Sequence, residues 1–186
     1  MRTLALALTL VLSLSVSVPA RAAVDETNAN RLNALGLFLG TGSGYDLGGS
    51  ATRLHGIIML TRMLGEEADA LSFDGPCPFS DVAAGKPSAY TGYAFAQGYT
   101  TGVSTTTFRP NGALSFKHYV TFLLRALGYD DGAGDFTFAA SLDKAVEIGM
   151  MTRASADCIL QKQYALYRGD LVDLFVSCLL YTSDAA

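Results

Sequence analysis

Three observations on this 186-residue chain predict an all-α fold built from three helix–loop–helix units. One segment pattern recurs along the chain, its apolar residues fall at three- and four-residue spacing, and hydroxyl residues and glycines bracket each run. Thr52–Gly65 and Ser115–Gly128 align without a gap, with a hydroxyl residue first, His55 and His118 fourth, and Arg62/Arg125, Leu64/Leu127 and Gly65/Gly128 in register. A fainter third copy covers Tyr167–Ser177. Each copy follows an element that ends at a glycine: Gly36, Gly98 and Gly149 precede Arg53, Phe116 and Arg168 by 17, 18 and 19 positions.

The first helix of each unit is expected to stop at that glycine, where a left-handed backbone closes the last turn. Gly-, Ser- and Thr-rich stretches follow over 41–50 and 103–112 and read as loops with at most a short extended piece. In the second helices, Leu54, Ile57, Ile58 and Leu64 form one apolar face, and Tyr119, Val120, Leu123, Leu124 and Leu127 another. Thr52 and Ser115 are good N-caps, because a hydroxyl there accepts from an amide one turn inside. A two-helix unit is too small to bury its own apolar face, so the three are expected to share a core. Tyr93, Phe95, Phe108, Phe122 and Phe175 read as part of it.

Composition limits the functional classes. A cationic start, an apolar run from Leu4 to Val18 and Ala20-Arg21-Ala22 mark residues 1–22 as a secretory signal. Its removal takes two arginines and no acid, leaving 11 basic against 17 acidic residues, a net charge of −6 that disfavours general nucleic-acid binding. Charged residues interrupt every later apolar run, so no membrane span is expected after signal removal. Cys77, Cys158 and Cys178 allow at most one internal disulfide, are expected to be free or partly buried thiols, and show no zinc-site spacing.

The residues that carry a family resemblance are Phe79-Ser-Asp81-Val82, Tyr90-Thr-Gly-Tyr-Ala94, Gln97-Gly98 to Gly102, Thr107-Phe-Arg-Pro110 and Leu123 to Gly128. Together they resemble an S-layer homology (SLH) repeat, and the likeness extends over roughly 30–177. The resemblance implies three all-helical repeats with pseudo-threefold symmetry, over 30–78, 79–135 and 136–177, after a short lead at 23–29. Residues 178–186 leave the motif without a helix-ending glycine and are expected to be a non-native tail. The implied function is non-covalent, non-enzymatic anchoring of an exported protein to the bacterial cell wall or S-layer. The partner is secondary cell-wall polysaccharide carrying pyruvyl or other acidic groups, with a fused or associated cargo protein. The alternative is a diverged envelope spacer or protein-contact module without glycan affinity.

The family motif Thr-Arg-Ala-Glu at the start of the second helix has a physical rationale. Free amides at a helix start and a guanidinium fork can grip a carboxylate together. Thr52-Arg53 matches its first half, and Arg168 with Asp170 keeps the Arg and an acid. Arg53 and Arg168 are therefore the expected carboxylate-gripping residues, with Thr52 beside them and Lys117 a weak substitute in the middle copy. Backbone amides at Gly40 and Gly102 are expected to approach a sugar closely. His replaces the motif's Glu in two units, which is expected to break the reciprocal capping box and make His55 and His118 scaffold residues. The family's usual Trp is absent, leaving Tyr90 and Tyr93 near its place.

Other patterns are read as structural. Arg62 and Arg125 are expected to make surface contacts, Gly40–Gly44 a turn, and Asp130, Asp131 and Asp135 a solvated loop without a metal. Arg168-Gly169-Asp170 spells an adhesion tripeptide but lies where a helix should start. No nucleophile elbow or zinc-protease helix is present, and no cofactor is expected.

Overall fold

Helix starts and stops obey the local signals. The computed structural model describes residues 25–161 and 165–183, so the expected signal sequence lies outside the described residues, as do the side chains of Cys158, Phe175 and Cys178. Eight helices are described: α1 (Thr27–Ala34), α2 (Arg53–Met63), α3 (Glu67–Ser72), α4 (Lys86–Ala96), α5 (Phe116–Ala126), α6 (Ser141–Glu147), α7 (Arg153–Gln161) and α8 (Arg168–Ser183). Among the described residues there is no strand, only isolated bridges such as Ser50 with Tyr167 and Thr52 with Ala113. The chain is all-α in this sense.

The Thr52 and Ser115 hydroxyls accept from the amides of His55 and His118, each at 3.2 Å. Gly36, Gly65, Gly98, Gly128 and Gly149 each follow a helix at φ of 73 to 92°. In all five the next residue donates back across the turn, as Leu37 N does to Leu32 O and Tyr99 N to Ala94 O, both at 2.8 Å. A side chain would strain that left-handed position, which is why glycine recurs there.

Two helices depart from the expected plan. α3 follows α2 directly, and α7 occupies the connection in the third unit where the first two have loops. α1 also begins at Thr27, inside the expected lead, and α8 runs on past Ser177 through the boundary expected there.

The helices pack in neighbouring pairs. α2 lies against α4, α5 against α6, and α8 returns to α1. At the centre, Ala51 N donates to Leu166 O (2.8 Å), Leu166 N to Leu114 O (2.8 Å) and Leu114 N to Ala51 O (2.9 Å). These three residues stand two positions before α2, α8 and α5, and all are buried. The ring satisfies backbone groups that have no water to turn to.

Among the described residues the buried apolar side chains form two clusters joined through shared neighbours. The larger contains Leu32, Ile57, Leu60, Phe79, Phe108, Leu114, Tyr119 and Leu171; the smaller contains Val120, Leu124, Phe136, Leu142, Ala145 and Ala156. Phe116 and Met150 pack on both. α5 serves both clusters because Tyr119, Phe122 and Leu123 lie on one face while Val120 and Leu124 lie on the next. Full burial of a side chain such as Ile57 or Leu60 contributes roughly 1.5–3 kcal/mol. Phe95 is a correction: it is exposed and only leans edge-on against Phe79, with ring centroids 5.6 Å apart.

Candidate functional site

The site is built where the loop before α5 meets the start of α2. Asp81 accepts from Phe108 N at 2.8 Å and Arg109 N at 2.7 Å, pinning the loop before α5. Arg109 takes a left-handed φ of 59°, and Gly112 N closes the turn on its carbonyl at 2.9 Å. Burial alone would raise the Asp81 pKa, but the two amide bonds prevail and hold it below the ordinary carboxylate value.

That loop aims three carbonyls at the start of α2. Gly112 O accepts from Arg53 N (2.9 Å), Pro110 O from Leu54 N (3.1 Å), and Phe108 O from Arg53 Nε (2.8 Å). The Arg53 guanidinium lies over the rings of Phe108 and Phe122, 4.8 and 5.4 Å from their centroids. Arg168 is held the same way by the earlier loop. Its amide donates to Gly49 O (2.8 Å), Gly169 N to Leu47 O (2.9 Å), and its Nε to Tyr45 O (3.1 Å), with the guanidinium 5.2 Å from the Phe38 centroid.

These contacts correct one expectation. The helix-start amides are not free for a ligand, because the neighbouring loop and the Thr52 cap already use them. What remains for an anion is the outer edge of the guanidinium.

Arg53 is 4% exposed, yet it lines a cleft of about 320 Å³ together with Gly102, Val103, His118, Thr121, Phe122, Arg125, Asp131 and Phe138. Burial first, then repulsion from Arg125 and Arg109, pushes its pKa down to about 10, so it still carries its charge at neutral pH. Arg125 is neutralised by Asp131, whose oxygens take its Nε at 2.8 Å and Nη2 at 2.7 Å. Among the described residues no carboxylate lies within ion-pair distance of Arg53. Arg53 thus brings to the cleft a buried positive charge that Asp81 offsets only from a distance and that has no ion-pair partner among the described residues, an arrangement that favours an incoming anion. Arg168 is likewise buried, with its pKa lowered by burial despite Asp46.

The other expected residues take different places. Thr52 caps α2, and His55 completes the capping box instead of breaking it: Thr52 N donates to its Nδ1 at 3.2 Å. An imidazole nitrogen accepts as well as a carboxylate when neutral, and burial followed by the nearby Arg168 charge holds the His55 pKa below 6.5. His118 sets its Nδ1 2.7 Å from the Ser115 hydroxyl instead. Lys117 is not in the cleft; its Nζ donates to Ala139 O at 3.1 Å and pins the loop before α6. Phe116, which stands in the register of Arg53, packs into the core and offers no charge.

Gly102 lines the cleft, but its amide is committed to Thr100 Oγ1 at 3.1 Å, and a Cβ there would lie 2.5 Å from Ser104 O and 2.6 Å from Phe79 Cε1. At Gly40 a Cβ would meet Gly44 O at 2.6 Å. Both glycines serve loop closure. Tyr90 and Tyr93 are buried and present no stacking face; the Tyr90 hydroxyl donates to Glu67, and burial, then that hydrogen bond, pushes its pKa up to about 12. Arg62 pairs with Glu67 at 2.8 Å. Asp130 and Asp135 accept from amides of their own loop. Asp170 accepts from Tyr167 N at 2.9 Å, so the adhesion tripeptide is folded into a helix start with its arginine buried. Cys77 is a free thiol, half-buried beside Thr91.

Sequence reasoning does not reach Asp81, Phe122, His118 and Phe138 as site residues. Only Asp81 carries a signal there, its place in the Phe-Ser-Asp-Val run. Compared with protein-family models and with curated proteins, the chain matches none of them.

Proposed function

We propose that this chain is an exported, non-enzymatic module of three SLH repeats that binds acidic secondary cell-wall polysaccharide and so fixes an attached or associated cargo to the bacterial wall. The observation that carries the reading is Arg53, a charged guanidinium buried without a carboxylate partner among the described residues and facing a cleft. Isolating such a charge is costly, and a ligand carboxylate is the partner that would offset the cost. Arg168 repeats the burial, the Nε–carbonyl bond and the ring contact. The stepwise packing of α2 on α4, α5 on α6 and α8 on α1, together with the central three-bond ring, supports a pseudo-threefold arrangement of the repeats.

With Phe116 in the middle register, two arginine sites instead of three set the avidity. The test is retention on purified pyruvylated wall polymer. The unaltered protein is expected to be retained, Arg53→Gln and Arg168→Gln each to weaken retention, and the double variant to abolish it. Absence of retention by the unaltered protein would favour the spacer reading, for which the neutral Phe116 position is the supporting feature.

A further inference from the structure

We infer that Phe138 is the sugar-stacking residue of the Arg53 cleft, so that the ligand is gripped by a ring face as well as by its acid. The inference rests on the glycan reading above and narrows it to a carboxylated sugar over a bare anion.

Phe138 lines the cleft, is 45% exposed, and sets its ring 4.9 Å from that of His118. A half-exposed phenyl ring thus lines the same cleft as the buried Arg53 guanidinium. Phe136-Thr137-Phe138 stands in the register of Phe79-Ser80-Asp81. Phe79 and Phe136 are both buried, whereas the third position diverges: Asp81 turns to two loop amides and Phe138 turns to the cleft.

The backbone beneath Phe138 is fixed. Ser141 Oγ donates to Phe138 O at 3.0 Å, and Lys117 Nζ holds the next carbonyl at 3.1 Å. A ring already held in place loses little freedom on binding. The C–H face of a pyranose is apolar and packs on an aromatic ring, while its hydroxyls stay in water. A volume near 320 Å³ is at the small end for ligand pockets, which suits a sugar unit or two and not a long stretch of polymer.

The test compares the full chain with Phe138→Ala and Phe138→Trp on two polymers at fixed salt: purified pyruvylated wall polysaccharide and sugar-free polyacrylate. Phe138→Ala is expected to weaken polysaccharide binding about fivefold, to leave polyacrylate binding unchanged, and to be rescued by Phe138→Trp. Equal loss on both polymers, no loss on the polysaccharide, or no rescue by Trp overturns the stacking role. If the unaltered protein is not retained on the polysaccharide, the anchoring reading falls with it. If retention needs Arg53 but not Phe138, stacking alone falls.

Discussion

Replacing Arg53 with methionine separates a ligand hook from a structural keystone, because the two roles predict different changes in stability. The fall in pKa from 12.5 to about 10 corresponds to about 3 kcal/mol of disfavoured charge at 1.36 kcal/mol per unit. Water at the mouth of the cleft screens part of this, leaving roughly 1.5–2 kcal/mol to be recovered when the charge is removed. Against that stands the Nε bond to Phe108 O, whose loss leaves the carbonyl of a fully buried residue without that donor at a cost of about 1–3 kcal/mol. The two ring contacts add about 1 kcal/mol, part of which the methionine sulfur regains on the same rings. The balance is a net loss of about 0–2 kcal/mol. A charge whose removal strands a buried ionic partner would cost about 3–5 kcal/mol instead. Urea unfolding at pH 7 measures the difference, and polymer retention is read on the same sample. The expected result is a stability loss of at most about 2 kcal/mol with retention lowered at least about tenfold. A stability loss above about 3 kcal/mol, or unchanged retention, would refute the reasoning.

Acidification is expected to destabilise the protein before the carboxylates titrate. His55 and His118 have folded pKa values lowered from 6.5, first by burial and then by Arg168 and Arg53 respectively. The unfolded chain therefore takes up protons first: stability is full above about pH 6.5 and falls as pH drops toward the folded values, by at most about 1.4 kcal/mol per pH unit for each histidine. His55→Gln keeps an acceptor for Thr52 N and should lower that slope; urea midpoints that do not change between pH 7.5 and 5.5 would contradict this. Gly102→Ala should cost more than about 2 kcal/mol, since its Cβ meets two carbonyls and a ring at 2.5–2.7 Å. Gly36→Ala, with the same left-handed backbone but open space, should cost only about 1 kcal/mol. Equal thermal shifts for the two would show that the Gly102 loop relaxes around the added methyl group.

Legibility in the sequence follows the range of the interaction. Thr52, Ser115 and the five helix-ending glycines act within one turn, and the local residue pattern is enough to place all of them. The periodicity of α2 and α5 correctly places Ile57, Tyr119, Val120, Leu123 and Leu124 in the core, but Leu64 and Leu127, expected on the same faces, are exposed beside the closing glycines. α7 escapes such a reading because the loops of the first two units are a false guide to the third. His55 looks like a broken cap only while the box is read as a Glu motif; what the box needs is an acceptor, which neutral imidazole supplies. The position of Arg53 is legible, but its burial is not. That depends on the carbonyl of Phe108, 55 residues away, and on the turn that Asp81 fixes. Tyr90 and Tyr93 are buried, whereas the exposed ring at the cleft is Phe138, from the segment before α6.

Both arginines are held by composite surroundings, so their geometry depends on closure of the fold. Arg53 belongs to α2, but the carbonyl that orients it and one ring beneath it come from the loop before α5. Arg168 belongs to α8, but its carbonyl and ring come from the segment between α1 and α2. The same loops that hold each helix start also hold its arginine Nε, so each arginine is fixed by a segment far from it in the chain. The ring through Ala51, Leu114 and Leu166 joins three segments at backbone level, two residues from each arginine and from Phe116. The placement of Arg53 and Arg168 does not depend on a charge at Phe116, which stands in the register of Arg53: Phe116 supplies an apolar contact to both core clusters, and the loops that hold the two arginines lie elsewhere.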